Sequence, residues 1–430
     1  GIYTKEAGAI NAGTYVTLKA DEEGITVSDS ITTTDGAISL DAKKSVNIVG
    51  AGGDTTKLTA KGDDGYIDIK AGKDVNVGAV GWADLTSEKS YIKVDAGGTA
   101  LFSGMTAGTY IDITAEGAIT LFYDTIASGT NAAGVGIKIL SKGTTLGDII
   151  SNSNADMSAL TGSIDIVNQY GDITLNSDTI SAKTDVMITA DKGAVTVGDA
   201  TTDTLTANDG EIKITAKDNI IINSTLTAGT NVEIESKDGT IDAAQAITAT
   251  AGYIDVEADG NILFSGALEA GGANAAGFGI NIHSGATLGD ITLTDDATMN
   301  ATAGSIKLYN ELGTIDLKSD EVVASGDVII TTDAGDIYAG DDTVDFLTAT
   351  DGKIDIFATA GDIKTKTSMT AGTDVSIASD NGNITVGSAL GGSYTVDAGG
   401  DILIKTEAGK IDTYAKMKAG KGVKIWAVKD

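Results

Sequence analysis

The sequence predicts an all-β fold, a single elongated three-sided parallel β-solenoid that continues through residues 1–430 with little or no helix. Three observations predict this fold: short segments in which apolar and polar residues alternate, a repeat that contains three such segments, and a chain without proline. Together they indicate coils of three short strands that stack along one axis.

The alternation of apolar and polar residues identifies the strands. Tyr66–Ala71, Tyr110–Ala115 and Tyr253–Ala258 each place Ile or Val on one face and polar residues on the other. A period of two is typical of half-buried strand. Ala-Gly and Asp-Gly pairs follow these segments, and glycine accepts the backbone angles of tight bends.

The strands group in threes, as in Tyr253–Ala258, Asn261–Ser265 and Ala267–Ala270. Equivalent positions at Ile212, Val232 and Ile254 are 20 and 22 residues apart. A period of about 21 residues fits one triangular turn and predicts roughly 20 coils for the whole chain. An antiparallel β-sandwich is the alternative, because its strands also alternate with period two.

Two further repeats support the solenoid. A short block recurs at Asn11–Val16, Thr106–Ile111, Thr227–Val232 and Thr370–Val375. A longer internal duplication relates about 131–230 to 274–372, with an offset of 143 residues at Asn131 and Asn274. Repeats of this kind add structure along one axis, since each unit contacts only its neighbours.

Composition excludes several classes of function. There are 29 basic residues, all lysine, against 61 acidic residues, for a net charge of −32. This charge repels nucleic acid and anionic membranes, and no apolar run is long enough for membrane insertion. The missing proline suits a solenoid, because nearly every interior strand residue must donate its N–H to an adjacent coil.

Several corners carry a Gly-Asp/Asn-Ile pattern, namely Gly171–Leu175, Gly289–Leu293, Gly400–Ile404 and Asn381–Val386. The pattern resembles the repeats of filamentous-haemagglutinin-type adhesins. The resemblance implies a right-handed β-helix at an extracellular or cell-surface location, and it transfers no binding residue. The start at Gly1 agrees with removal of a leader from a secreted precursor.

The sequence predicts no enzyme and no catalytic residue. Catalysis on a β-helix needs a unique acid and base, often with a cation, whereas this chain has no arginine and one histidine, His283. Leu140 occupies the position of His283 in the other copy, so a structural role on an outward face is expected. The acidic cluster Asp341, Asp342 and Asp345 has a copy at Asp199 and Asp203, which indicates repeated, solvated bends.

No cofactor and no metal-binding residue are predicted, with Ca²⁺ at an acidic corner as the alternative. The corners Asp21–Gly24, Asp63–Gly65 and Gly340–Asp342 offer the oxygen ligands that calcium prefers, but none has the spacing of a known calcium loop. Residues 131–139 and 274–282 depart from the coil rhythm and are either broadened corners or lateral loops that contact another molecule.

The two ends of the chain read as parts of one coil. Val423–Asp430 followed by Gly1–Val16 resembles the internal coil Val232–Ile254, and the spacing from Val423 to Val16 across the join is close to the spacing from Val232 to Ile254. The predicted function is therefore an extracellular structural filament subunit whose partner is itself, head to tail, with lateral bundling of the filaments. The predicted subunit-junction residues are Ile2, Tyr3, Ile10, Val16, Val423, Ile425, Trp426 and Val428. The alternative is a repeat segment of a longer secreted adhesin that binds a glycan or a cell surface.

Overall fold

The computed structural model describes residues 1–4, 8–50, 55–78, 82–144, 147–285, 289–295, 297–319, 321–341, 345–390 and 392–428. The chain forms two compact units, residues 1–217 and 218–430. Each unit is a three-sided parallel β-solenoid with sheets A, B and C, in which consecutive strands enter the three sheets in turn. The described residues contain no helix, and therefore none that is long and apolar enough to cross a membrane.

The described residues of the first unit form nine strands in each sheet. Sheet A contains β1 (Ile2–Thr4), β4 (Ile25–Val27), β7 (Val46–Ile48), β10 (Val75–Val77), β13 (Ala100–Phe102), β16 (Ile119–Leu121), β19 (Ile149–Ser151), β22 (Ile173–Leu175) and β25 (Val195–Val197). Sheet B contains β2 (Ile10–Ala12), β5 (Ile31–Thr33), β8 (Thr56–Ala60), β11 (Ala83–Ser87), β14 (Gly104–Ala107), β17 (Thr125–Ala127), β20 (Met157–Ala159), β23 (Thr179–Ala182) and β26 (Thr204–Ala207). Sheet C contains β3 (Val16–Ala20), β6 (Ile38–Ala42), β9 (Ile67–Ala71), β12 (Ile92–Ala96), β15 (Ile111–Ala115), β18 (Val135–Ser141), β21 (Ser163–Asn168), β24 (Val186–Ala190) and β27 (Ile212–Ala216).

The second unit has the same organisation. Sheet A contains β28 (Ile220–Ile222), β31 (Ile241–Ala243), β34 (Ile262–Phe264), β37 (Ile291–Leu293), β40 (Ile315–Leu317), β43 (Ile337–Ala339), β46 (Ile363–Thr365), β49 (Ile384–Val386) and β52 (Ile411–Thr413). Sheet B contains β29 (Thr225–Ala228), β32 (Ile247–Ala249), β35 (Leu268–Ala270), β38 (Thr298–Ala301), β41 (Glu321–Ala324), β44 (Phe346–Ala349), β47 (Ser368–Ala371), β50 (Thr395–Ala398) and β53 (Lys416–Ala419). Sheet C contains β30 (Val232–Ser236), β33 (Ile254–Ala258), β36 (Phe278–Ser284), β39 (Ser305–Asn310), β42 (Val328–Thr332), β45 (Ile354–Ala358), β48 (Val375–Ser379), β51 (Ile402–Thr406) and β54 (Val423–Ala427).

Three consecutive strands, one from each sheet, form a rung, and equivalent residues stack from rung to rung. In sheet C, Ile92 lies in register between Ile67 and Ile111, and all three side chains are fully buried. Residues between the buried positions face outward, as the alternation predicts. The core of each unit is thus a column of Ile, Val, Leu and Ala side chains enclosed by three sheets, and the predicted three-sided parallel solenoid is confirmed. Its right-handed winding and its continuity over the whole chain stay predictions.

The predicted number of coils was too high, because the described part of each unit contains nine rungs. Strand β6 begins at Ile38, one predicted period after Val16 of β3, but β9 begins only at Ile67, well beyond the end of the next period. The prediction extrapolated from the shortest rungs, whereas corner length varies freely at the surface. The duplicated strands β18 and β36 are accordingly six rungs apart in the chain, whereas the offset of 143 residues at a period of about 21 predicts roughly seven.

The two segments that depart from the coil rhythm are broadened corners. The Asn131 Oδ1 accepts hydrogen bonds from the Ala133 and Val135 N–H groups, at 2.9 and 3.1 Å, and closes a turn at Gly134, whose φ is +83°. The same turn recurs at Asn274 and Gly277. A seven-residue strand with a shift of register follows each turn, β18 in one case and β36 in the other.

Candidate subunit junction

The first rung consists of β1, β2 and β3, and each strand has one described neighbour, in the second rung. The backbone N–H groups of Ile2, Ile10 and Val16 donate to second-rung carbonyls, at 3.1, 3.0 and 2.9 Å. No described strand pairs with the opposite edge of this rung. Tyr3 lies outward and is 72% exposed, whereas Val16 is nearly buried.

The last rung consists of β52, β53 and β54, and its inward side chains are open to solvent. Val423 and Ile425 are each 47% exposed. In register they lie on Ile402 and Ile404 of the preceding rung, which are fully buried. The exposure of Val423 and Ile425 therefore follows from the lack of a further rung over them among the described residues.

The inward positions of the two terminal rungs have closely matching chemistry. The strand registers place Ile411, Thr413, Met417, Ala419, Val423, Ile425 and Ala427 inward in the last rung. The corresponding residues of the first rung are Ile2, Thr4, Ile10, Ala12, Val16, Leu18 and Ala20. The inward residues of the first rung are therefore of the same types as those that stack on one another between interior rungs, and they could stack in the same way on the last rung.

Trp426 faces outward at the last rung, as the alternation in β54 indicates, and is 46% exposed. The Nζ atoms of Lys424 and Lys405 lie 4.8 and 5.4 Å from the centre of its ring. These distances are in the range of cation–π attraction. Val428 follows β54, donates its N–H to the Thr406 carbonyl at 3.0 Å and is 55% exposed.

The predicted junction residues fall into two groups of four. Ile2, Tyr3, Ile10 and Val16 belong to the first rung, and Val423, Ile425, Trp426 and Val428 to the last rung and the corner after it. Lys429 and Asp430 lie outside the described residues. The structure therefore describes both surfaces of the predicted join, but not the corner that would link them.

The inner carboxylates of the duplicated acidic corners are buried, so the prediction of solvated bends was wrong for them. Asp203 is fully buried, and its Oδ2 accepts hydrogen bonds from the Asp199 and Ala200 N–H groups at 2.8 and 2.9 Å. Asp345 is 1% exposed, and its Oδ2 accepts from the Asp341 N–H at 2.7 Å. These carboxylates hold a turn together. Asp342 lies outside the described residues.

The aspartates of the Gly-Asp-Ile pattern have a structural role that the sequence analysis missed. The Asp148 Oδ1 accepts a hydrogen bond from the Asp172 N–H at 3.0 Å, and the Asp172 Oδ1 accepts from the Ala194 N–H at 2.8 Å. Each carboxylate thus binds the backbone of the next rung at the corner before sheet A. The recurrence of Asp or Asn directly before Ile was the available signal.

A pair of buried asparagines was also missed. The Asn310 Nδ2 donates to the Gly289 and Thr314 carbonyls at 2.8 and 3.1 Å, while its Oδ1 accepts from the Leu312 and Gly313 N–H groups at 3.2 and 2.8 Å. Asn310 is fully buried, and Asn168 makes the equivalent four bonds in the first unit. Both asparagines replace the alanine that ends most strands of sheet C.

His283 faces outward in β36, as expected, with its side chain 27% exposed. Its ring stacks on Tyr309 with centroids 5.0 Å apart, and its nitrogens lie 3.5 Å from Glu257 and 3.4 Å from Glu311. At the acidic corners considered as the alternative calcium sites, carboxylates approach lysines, Glu23 with Lys44 at 2.7 Å for example. In the described ranges, no group of three or more His, Asp or Glu side chains is arranged to hold a metal.

Comparison with known proteins adds no family to these observations. The chain matches no protein-family model, and neither the curated proteins nor the solved structures gave a significant match. The three-sided parallel fold agrees with that of β-helical repeat proteins in general.

Proposed function

We propose that this protein is a structural subunit of an extracellular filament, in which the last rung of one copy receives the first rung of the next. The observation that carries the proposal is the exposure of Val423 and Ile425, inward-facing residues whose counterparts one rung earlier are fully buried. A further rung with inward Val16 and Leu18 would cover them with the residue types found throughout the core.

The backbone supports the same assembly. Inside the solenoid, the N–H of the first inward residue donates to the carbonyl that precedes the equivalent residue of the next rung, as from Ile402 to Gly422 at 2.9 Å. Continuation of this pattern would pair the Val423 N–H with the Tyr15 carbonyl of the next copy. Open strand edges of this kind are templates for pairing with another chain.

The energy of such a junction has two sources. Covering the exposed half of Val423 and of Ile425 contributes roughly 1 kcal/mol each, taking about 1.5–3 kcal/mol for complete burial of such a side chain. Three new strand pairs add backbone hydrogen bonds at about 0.5–1.5 kcal/mol each. These contributions oppose the cost of ordering two separate copies against each other, so the extent of assembly should increase with protein concentration.

We propose the extracellular location, and a relation to filamentous-haemagglutinin-type proteins, from the Gly-Asp/Asn-Ile corners alone. We also propose that the filaments bundle side by side. The alternative is that this chain is a repeat segment of a longer adhesin. The intact mass of the native protein distinguishes the two, because a mass well above 43.3 kDa would favour the adhesin.

Substitution of Ile425 tests the junction. Ile425→Asp places a carboxylate where the next rung would have to cover it, so filaments seen by negative-stain microscopy should be lost. Ile221→Asp is the matched control, because Ile221 is 41% exposed but faces outward from the middle of sheet A. Both variants should keep the strand signal in circular dichroism.

Purified chain that stays monomeric by light scattering at high concentration, or filaments of unchanged length from Ile425→Asp, would overturn head-to-tail assembly.

A further inference from the structure

Resting on the proposed function, we infer that the two terminal rungs recognise each other by opposite charge, so that ionic strength controls elongation and like ends reject each other. The partner is a second copy of this chain, and the specificity comes from a lysine-rich last rung and an acidic first rung.

The last rung reverses the charge of the rest of the protein. Residues 407–430 contain six lysines and three acidic residues, a net charge of +3, in a chain whose net charge is −32. Lys416 and Lys418 face outward from β53, Lys424 faces outward from β54, and Lys421 lies in the corner between them, all exposed. Of these, Lys418 is bound to Asp397 at 2.6 Å.

The first rung has the opposite sign. Residues 1–24 contain two lysines and four acidic residues, a net charge of −2. Asp21, Glu22 and Glu23 form one exposed corner directly after β3. Lys19 and Lys44 lie 3.2 and 2.7 Å from Asp21 and Glu23, which offsets part of this charge but leaves the corner acidic.

These charges orient two approaching copies. Opposite ends attract and like ends repel, so the charges favour the head-to-tail arrangement in which inward residues also match. Electrostatic steering raises association rates by about 10- to 1,000-fold at low salt. The effect weakens as the Debye length falls from about 30 Å at 0.01 M salt to about 8 Å at 0.15 M.

Salt should affect elongation and lateral bundling differently. The acidic sides repel each other, so screening should promote lateral association, whereas the same screening should slow the joining of ends. The two processes therefore respond to salt in opposite directions.

Charge reversal at the last rung provides the test. The variant Lys416→Glu/Lys421→Glu/Lys424→Glu should elongate at least about 10-fold more slowly than the unmodified chain at low salt, followed by light scattering and microscopy. Addition of Asp21→Lys/Glu22→Lys to this variant exchanges the signs of both ends and should restore elongation. The control Lys73→Glu/Lys237→Glu/Lys366→Glu changes the same number of exposed lysines away from both terminal rungs and should elongate at the unmodified rate.

The outcomes distinguish the inference from the proposed function. Filaments whose elongation is unaffected by salt and by the end reversal, or slowed equally by the control, would overturn charge recognition and leave head-to-tail assembly intact. Absence of filaments from the unmodified chain at every salt concentration would overturn both.

Discussion

At the residue scale, the corners of this solenoid depend on buried polar groups as much as on glycine. Asn310 replaces an alanine with four hydrogen bonds to the backbone of its own corner and the preceding one. A buried polar group is tolerated only when its donors and acceptors are satisfied, and here all four are.

Replacing Asn310 by alanine should lower the free energy of unfolding by about 2–4 kcal/mol, because buried N–H and C=O groups would lose their partners. The measurement is urea denaturation followed by circular dichroism. Asn300→Ala is the control, since Asn300 is exposed on β38 and should change stability by less than about 0.5 kcal/mol. Equal effects from both substitutions would show that the Asn310 bonds do not support the corner.

A second residue-scale prediction concerns alkaline pH. The Tyr338 hydroxyl donates to the Asp336 Oδ2 at 2.8 Å, and this bond, with partial burial, raises the pKa of Tyr338 to about 12. The pKa of Tyr309 rises to about 12 chiefly through a hydrogen bond from its hydroxyl to the Asp333 Oδ2 at 2.7 Å. Because these pKa values exceed the usual value near 10, the bonds stabilise the fold below pH 10 and are lost as the pH rises towards 12.

Spectroscopic titration of tyrosinate should therefore show a late phase in the native protein. Tyr338→Phe should reduce its amplitude. Asp336→Asn should move part of it to lower pH, while its Oδ1 can still accept the hydrogen bond that the Asp362 N–H donates to Asp336. An unchanged late phase in both variants would contradict the assignment.

The same corners show why residue roles were hard to read from the sequence. Asp203 and Asp199 are both aspartates of one acidic corner, yet the first is buried and the second exposed. Charge predicts solvation on average, but the direction of a corner side chain depends on the three-dimensional path of the turn. The alternation of apolar and polar residues along a strand shows which side chains face inward, whereas the sequence of a corner does not.

At the scale of strands, stacking in register explains why the chain contains no proline. Thr174 lies in the middle of β22, which pairs with β19 on one side and β25 on the other. Every interior strand has this arrangement within its unit, so a missing N–H or a fixed φ would disrupt two neighbours. Because proline is disfavoured in every interior strand, its absence could be seen from the composition alone.

Thr174→Pro should destabilise the protein by about 3 kcal/mol or more, because it removes a ladder hydrogen bond and disturbs the strand. Thr174→Val retains the N–H and the β-branched shape, so its thermal midpoint should match that of the unmodified chain. A proline variant as stable as the valine variant would contradict the pairing of β22 on both sides.

Strand positions were predictable, and rung length was not. Strands β33, β34 and β35 lie within the predicted segments Tyr253–Ala258, Asn261–Ser265 and Ala267–Ala270. The prediction succeeded because buried and exposed residues alternate along a strand, and this alternation is visible in the sequence. The number of rungs was overestimated since corners differ in length without any effect on the core.

At the scale of the whole molecule, the net charge of −32 opposes the compact state through self-repulsion. Raising NaCl from about 0.01 to 0.15 M should therefore raise the thermal midpoint by a few degrees as the Debye length shortens. The variant Lys73→Glu/Lys237→Glu/Lys366→Glu carries more negative charge and should show a larger rise. A midpoint that is independent of salt in both proteins would contradict this account.

The matching of the two terminal rungs was predictable in part. Apolar alternation near Val423 and Val16 indicated that each end continues the repeat. The exposure of Ile425 and the lysines gathered around Trp426 required coordinates, because they depend on which strands lie side by side.

The bulged strands β18 and β36 begin at equivalent positions of the duplicated block, Val135 and Phe278, and are separated by a whole number of rungs. Copying such a block within the gene keeps every later side chain pointing the way it did before. Chain length can therefore change in evolution, or by design, without altering the chemistry at either terminus. If the proposed head-to-tail assembly holds, variants built with one block more or one block fewer should join the original protein in mixed fibres.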